Sequence, residues 1–189
     1  MITPLTSDER QLLLQLARDS IRCALKSQSL PDIPPESITP ALSMKGASFV
    51  SLTIDSRLRG CIGSLEAHQS LVDDVREHAV QAALEDYRFP PLSIEELNQV
   101  SIEISRLTPP VPLEYSQPQD LPGLLRPGID GVILRDGFRR ATFLPQVWEQ
   151  LPEPEEFLSH LCAKMGASAQ LWRNKLLQVS IYQVEEFHE

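Results

Sequence analysis

Apolar residues recur at helical intervals through Leu13, Leu16, Ala17, Ile21, Ala24 and Leu25. Ahead of them Thr6-Ser7-Asp8-Glu9 has the spacing of a capping box, so a first helix is predicted that ends before Pro31. Phe49, Val50, Leu52 and Ile54 lie in a β-branched and apolar run, and Leu58 to Gly63 forms a second, with Asp55-Ser56 as the tight turn of a hairpin. Ser70 and Asp73 suit a helix start, and Leu71, Val75, Ala79, Ala82 and Ala83 give a stripe of mostly small residues that can pack closely on a sheet. Val100, Ile102 and Ile104 alternate with Ser101, Glu103 and Ser105, as in a strand with one buried face. Asp136-Gly137, between Val132 to Arg135 and Phe138 to Phe143, predicts a two-residue hairpin turn. Phe157, Leu158, Leu161, Cys162 and Met165 predict a helix stopped by Gly166, and Leu177, Val179 and Ile181 a closing strand. Hairpins with helices set between them imply α+β with antiparallel sheets, not a doubly wound parallel sheet.

Composition narrows the function. The 189 residues are 42% hydrophobic, enough for a sizeable core, and the 16 prolines cluster between the periodic segments as rigid connections. Lys and Arg number 17 against 26 Asp and Glu, a net charge of −9, the wrong sign for tracking a phosphate backbone, so no nucleic-acid partner is expected. No apolar run reaches the length of a membrane helix, and Asp8, Glu9 and Arg10 stand where a signal peptide would be apolar, so a cytoplasmic protein without a membrane partner is expected. Cys23, Cys61 and Cys162 are scattered, as are the four histidines; free thiols, no metal and no cofactor are expected.

With only 8 glycines in the chain, two of them in Leu58-Arg59-Gly60-Cys61-Ile62-Gly63 are informative. Glycine weakens a strand and marks a bulge or a close approach by another backbone or a ligand. Strict alternation puts Arg59 and Cys61 on one face and Leu58 and Ile62 on the other, and a cation beside a thiol favours the nucleophilic thiolate.

The hexapeptide resembles the hallmark LRGCIG motif of the AMMECR family, called AmmeMemoRadiSam system protein A in prokaryotes. The resemblance extends to Ser48 to Leu52, Glu85 to Leu92, Asp130 to Leu134, Thr142 to Glu149 and Phe157 to Gly166, and so to nearly the whole chain. It departs at Asp55-Ser56, where the family's hairpin has Asp-Gly. The resemblance implies a single AMMECR domain over 1–189 in two α+β subdomains, a larger lobe with both termini and a smaller lobe from the middle of the chain, with the hexapeptide facing a cleft between them. It also implies a MEMO-type protein and a radical SAM enzyme as partners. The chain itself lacks the Cys-x-x-x-Cys-x-x-Cys cluster motif of the latter.

Two classes of function stay open. One is an accessory module that binds a partner protein or large substrate, with Leu58, Gly60, Ile62, Gly63, Arg88, Thr142 and Glu149 as candidate binding residues. The other is a cysteine-dependent enzyme using the same cleft, with Cys61 and Arg59 as candidate catalytic residues. Cys61 serves equally well as a small packed hydrophobe, and for Arg59 a structural ion pair is the favoured reading. A cysteine nucleophile needs a base, and nothing in the pattern places His68, His78 or His160 beside Cys61. The accessory module is the favoured reading. Arg139 and Arg140 make a basic spot whose default explanation is a solvated face.

Overall fold

In the computed structural model, which describes residues 3–189, the capping box is formed. Thr6 Oγ1 accepts from Glu9 N at 3.2 Å and Glu9 Oε2 accepts from Thr6 N at 2.7 Å, starting α1 (Ser7–Leu25). A one-turn helix, α2 (Pro40–Ser43), leads into the hairpin of β1 (Lys45–Ile54) and β2 (Arg57–Gly63). Asp55 and Ser56 both have positive φ, 50° and 61°, so the turn keeps the twist of a hairpin without a glycine. The short β3 (Gln69–Ser70) returns to β1, and Ser70 Oγ accepts from Asp73 N at 3.2 Å to start α3 (Leu71–Leu84). β4 (Ser101–Leu107) then pairs with the other side of β1.

From Thr108 to Val184 the chain forms a second compact unit. It contains β5 (Val111–Pro112), α4 (Leu121–Leu124), β6 (Gly131–Asp136), β7 (Arg139–Phe143), α5 (Pro154–Lys164), α6 (Leu171–Asn174) and β8 (Gln178–Tyr182). Its sheet is antiparallel in the order β5-β8-β6-β7. Val132, Leu134, Ala141 and Val179 bury against Phe157, Leu158, Leu161 and Cys162 of α5, with Trp148 stacked on Phe157 at 3.7 Å. A last strand, β9 (Val184–His188), then rejoins the first unit beside β4, giving the order β2-β1-β4-β9. Val50, Leu52, Ile102 and Ile104 on one face of that sheet share a core with α1 and α3. The fold is α+β, two antiparallel sheets each packed with helices.

Two features differ from the sequence reading. The closing strand is β9, whose residues do not alternate; Phe187 is buried while the Glu185 carboxylate accepts from Leu5 N, Arg10 and Arg106. The second hairpin turns one residue later than Asp136-Gly137. Asp136 pairs with Arg139, so the loop is Gly137-Phe138, with positive φ at Gly137 alone. A Gly-X loop of type II′ needs a left-handed residue only at its first position, which leaves Asp136 in the strand, bonded to Lys175 at 2.7 Å.

The strained turn between β1 and β2 yields a prediction. A side chain in the left-handed region costs roughly 1–2 kcal/mol, and a new glycine costs about 0.4–1 kcal/mol through the unfolded chain. The first effect is larger, so Ser56→Gly is expected to stabilise by about 0.5 kcal/mol, read as a higher urea midpoint; a lower midpoint would contradict it.

Candidate functional site

The hexapeptide lies on β2, at the edge of the first sheet, and its glycines set its position. Gly60 faces α3, where an added Cβ would fall 2.1 Å from the carbonyl oxygen of Ala82. No side chain fits there, so helix and strand approach to backbone contact. Gly63 pairs with Phe49, and a Cβ there would fall 2.4 Å from the Phe49 ring. Ile62 packs against the core of the first unit. Gly60 and Ile62 therefore belong to the helix side, and Cys61 points to the opposite face.

Strict alternation fails one residue earlier. Leu52 pairs with Gly60 and Thr53 with Leu58, so Arg59 is the extra residue of a bulge. Leu58 consequently joins the Cys61 face, where it is exposed. Arg59 reaches the segment that follows α3. Its guanidinium grips Glu96 through two bonds of 3.0 and 3.1 Å and donates to the carbonyls of Pro90 at 2.8 Å and Pro91 at 3.4 Å. The Arg59 hydrogen bond, backed by one from Ser93 N, holds the Glu96 carboxyl below its ordinary range.

At Cys61 the open edge of β2 is closed by two side chains. Asp86 Oδ2 accepts from Cys61 N at 2.9 Å, and Arg88 Nη2 donates to the Cys61 carbonyl at 3.2 Å. The two are joined to each other by Arg88 Nη2 to Asp86 Oδ2 at 2.6 Å and Nε to Oδ1 at 2.9 Å. Together they stand in for a neighbouring strand. Asp86 is buried, yet its carboxyl is held well below the usual carboxylate range, first by the Arg88 hydrogen bond and then by the backbone amides of Cys61 and Arg88. Between them Tyr87 is 94% exposed.

Because the Cys61 backbone groups point outward, Cys61 and Ser51 form the closer, non-hydrogen-bonded type of cross-strand pair. Ser51 Oγ donates to Cys61 Sγ at 3.3 Å, and on the far side of Ser51 the same face carries Glu103. The cation bonded at Cys61 is Arg88, through the backbone carbonyl, and it is itself bound to Asp86. No histidine bonds to the sulfur among the described residues: His78 meets Asp74 at 3.1 Å, His68 lies 3.8 Å from Glu66, and His160 lies 4.0 Å from Glu156 in the second unit. Among the described residues no group of three or more His, Cys, Asp or Glu could hold a metal ion, and no helix is long and apolar enough to cross a membrane.

Leu58, Arg59, Gly60, Cys61, Ile62, Gly63 and Arg88 are thus brought together in the first unit, and Thr142 and Glu149 lie in the second. Thr142 Oγ1 donates to the Val132 carbonyl at 3.0 Å and meets the Tyr182 hydroxyl at 2.9 Å; that hydroxyl, buried, has its pKa pushed up to about 12. Glu149 is exposed at the end of a 3₁₀ turn. Sequence reasoning missed Ser51, Tyr87 and Glu96 as neighbours of the motif. Counting back across the Asp55-Ser56 turn without the bulge sets Ser51 opposite Gly60, so its pairing with Cys61 follows only from the bulge at Arg59.

The profile of the AMMECR1 family matches residues 14–187. A protein of Methanothermobacter thermautotrophicus is 39% identical over 190 residues, 98% of this chain and 97% of its own length. One of Thermofilum pendens is 37% identical, covering 98% and 92%. Among solved structures, the crystal structure of the uncharacterized protein PH0010 from Pyrococcus horikoshii superposes with a TM-score of 0.90 at 32% identity, over 98% of this chain and 93% of that one.

Two tests follow from the close approach and the clamp. Gly60→Ala sets a methyl against backbone that cannot rotate away, and a loss of about 3 kcal/mol is expected in chemical denaturation; wild-type stability would contradict the contact. Asp86→Asn weakens the clamp, with an expected loss of about 2 kcal/mol near neutral pH. Since the folded carboxyl lies below the unfolded value of 3.8, its contribution is complete above that pH and declines as the pH falls toward the folded value. The gap between wild type and Asp86→Asn should therefore be flat from about pH 7 to 5 and narrow below about 3.8. A gap that widens in acid would show the opposite shift.

Proposed function

The chain belongs to the AMMECR1 family, and from that premise we propose that it is a non-catalytic accessory module that binds a partner protein through the surface around β2. The proposed surface consists of Leu58, Tyr87 and Arg88 presented over the rigid frame of Gly60, Ile62 and Gly63. The proposed partners are the MEMO-type protein and the radical SAM enzyme that the family resemblance implies. The observation that carries this reading is the clamp itself. Both arginines of the site are fastened to carboxylates and carbonyls, and no imidazole bonds to the thiol among the described residues, while the exposed Tyr87 ring stands between two fastened residues. Tyr and Arg on a pre-ordered frame are the composition of interface hot spots, and ordering already present in the free protein is not lost on binding.

The alternative, a cysteine-dependent enzyme acting on a large substrate, has one observation in its favour: the Ser51 hydroxyl donates to the Cys61 sulfur at 3.3 Å, so the thiol of the motif has a polar partner. The two readings separate on three variants. Under the accessory reading, Tyr87→Ser combined with Leu58→Ser weakens capture of the host's MEMO-type protein by roughly tenfold or more, while Cys61→Ser leaves capture and in vivo function intact. Undiminished capture by the double variant would overturn it. Loss of in vivo function in Cys61→Ser with capture preserved would establish the enzyme instead. In alkylation read by mass spectrometry, half-buried Cys61 should label in the folded protein, whereas Cys162, whose thiol is pushed up by burial, should label only on unfolding.

A further inference from the structure

The β6–β7 hairpin ends in a feature that its own folding does not require. The Gly137-Phe138 turn needs glycine at its first position and tolerates any residue at its second, yet that residue is a phenylalanine exposed over its whole surface. The ring packs on nothing that would stabilise the hairpin. Arg135 and Arg139 lie near it on opposite faces of the hairpin, since Arg135 pairs with Arg140 and Arg139 with Asp136; both are exposed and neither is in a side-chain hydrogen bond or ion pair among the described residues. Asp136 is neutralised by Lys175 at 2.7 Å. Arg135 also stands directly opposite Arg140, and like charges in that position oppose strand pairing. Arg140 is engaged within the molecule, so the charges that the tip offers outward are Arg135 and Arg139. In a chain of net charge −9, an apolar ring between two available cations is a local reversal of the surface.

We infer that the tip of this hairpin docks an acidic protein segment that crosses the end of the hairpin, with Phe138 as the apolar anchor and Arg135 and Arg139 pairing with carboxylates on its two faces. Guanidinium groups match carboxylates in bidentate geometry, and aromatic residues with arginine dominate protein interfaces. An anionic bilayer is the poorer match, since it is recognised by clusters of about four to eight basic residues, and one ring is a marginal anchor. This surface belongs to the second unit and goes beyond the proposed role of the β2 surface.

The test is an amide NMR titration of the full chain with a synthetic peptide of Glu-Glu-Leu repeats, run beside phosphatidylserine vesicles. Saturable shifts confined to residues 135–140 and strongest at low salt are expected. Phe138→Ser, a change at a fully exposed position, should leave the melting temperature unchanged and weaken the peptide roughly tenfold. Arg135→Gln with Arg139→Gln should weaken it similarly and flatten its salt dependence. Tyr87→Ser should leave the peptide titration unaltered, so this inference and the proposed role of the β2 surface fail separately. No saturable shift, shifts centred elsewhere, or binding of vesicles in place of peptide would overturn the inference.

Discussion

A strand at the edge of a sheet carries a row of backbone donors and acceptors with no neighbour, and at Cys61 that row is completed by the carboxylate of Asp86 and the guanidinium of Arg88. The rest of the site hangs on this substitution of side chains for a strand. It begins with Gly60, whose missing Cβ lets the Ala82 carbonyl come to the strand. That contact fixes α3 against β2, and α3 ends at Leu84, so Asp86 arrives two residues later at the level of Cys61. A buried carboxylate without partners would cost several kcal/mol, roughly. Here it accepts from the Cys61 amide, the Arg88 amide and two guanidinium nitrogens, which is enough to keep it ionised. The outward turn of the Cys61 backbone in turn selects the closer pairing with Ser51 and sets the thiol against a hydroxyl. Sequence, local geometry and site chemistry are linked in that order, and the first link is an absent methyl group.

The parts of this structure that were legible in the sequence are those governed by local rules. The capping box at Thr6, the Ser70 cap and the alternation of Val100 to Ser105 each specify their element within a few residues. What escaped was set by pairing between elements, near or far along the chain. β9 does not alternate because Glu185 is turned inward to satisfy Leu5, Arg10 and Arg106, contacts that no short window contains. The bulge at Arg59 moves Leu58 to the other face, and a bulge is a property of two paired strands. At the second hairpin, Asp-Gly and Gly-X turns are both compatible with Asp136-Gly137-Phe138, and register decides between them.

The same division applies to the candidate chemistry. Alternation along β2 pointed to Arg59 as the cation beside Cys61, but the bulge turns that guanidinium to Glu96 and to the carbonyls of Pro90 and Pro91. The cation bonded to Cys61, at its backbone carbonyl, is instead Arg88, 27 positions along the chain and brought back by α3. Glu85 to Leu92 was legible as part of the family resemblance, yet its role as a strand substitute depends on where the end of α3 sets Asp86 and Arg88 against β2. Residue identity was readable, and mutual orientation was not.

Orientation also separates the two chemical roles open to such a site. General acid–base catalysis needs a group that exchanges its proton during turnover, and the energetic cost of that exchange grows with every hydrogen bond that favours one protonation state. Asp86 and Glu96 are each held in the ionised state by an arginine, so both are poor proton acceptors at neutral pH. Arg59 and Arg88 are fastened to those carboxylates and to backbone carbonyls, and a fastened guanidinium recognises shape more readily than it follows a moving charge. A recognition surface benefits from the same features, since side chains already held in one geometry give up less freedom when a partner arrives. The bonds that keep both carboxylates ionised are therefore also the ones that hold in one geometry the frame around Tyr87 and Leu58, the surface proposed to bind a partner.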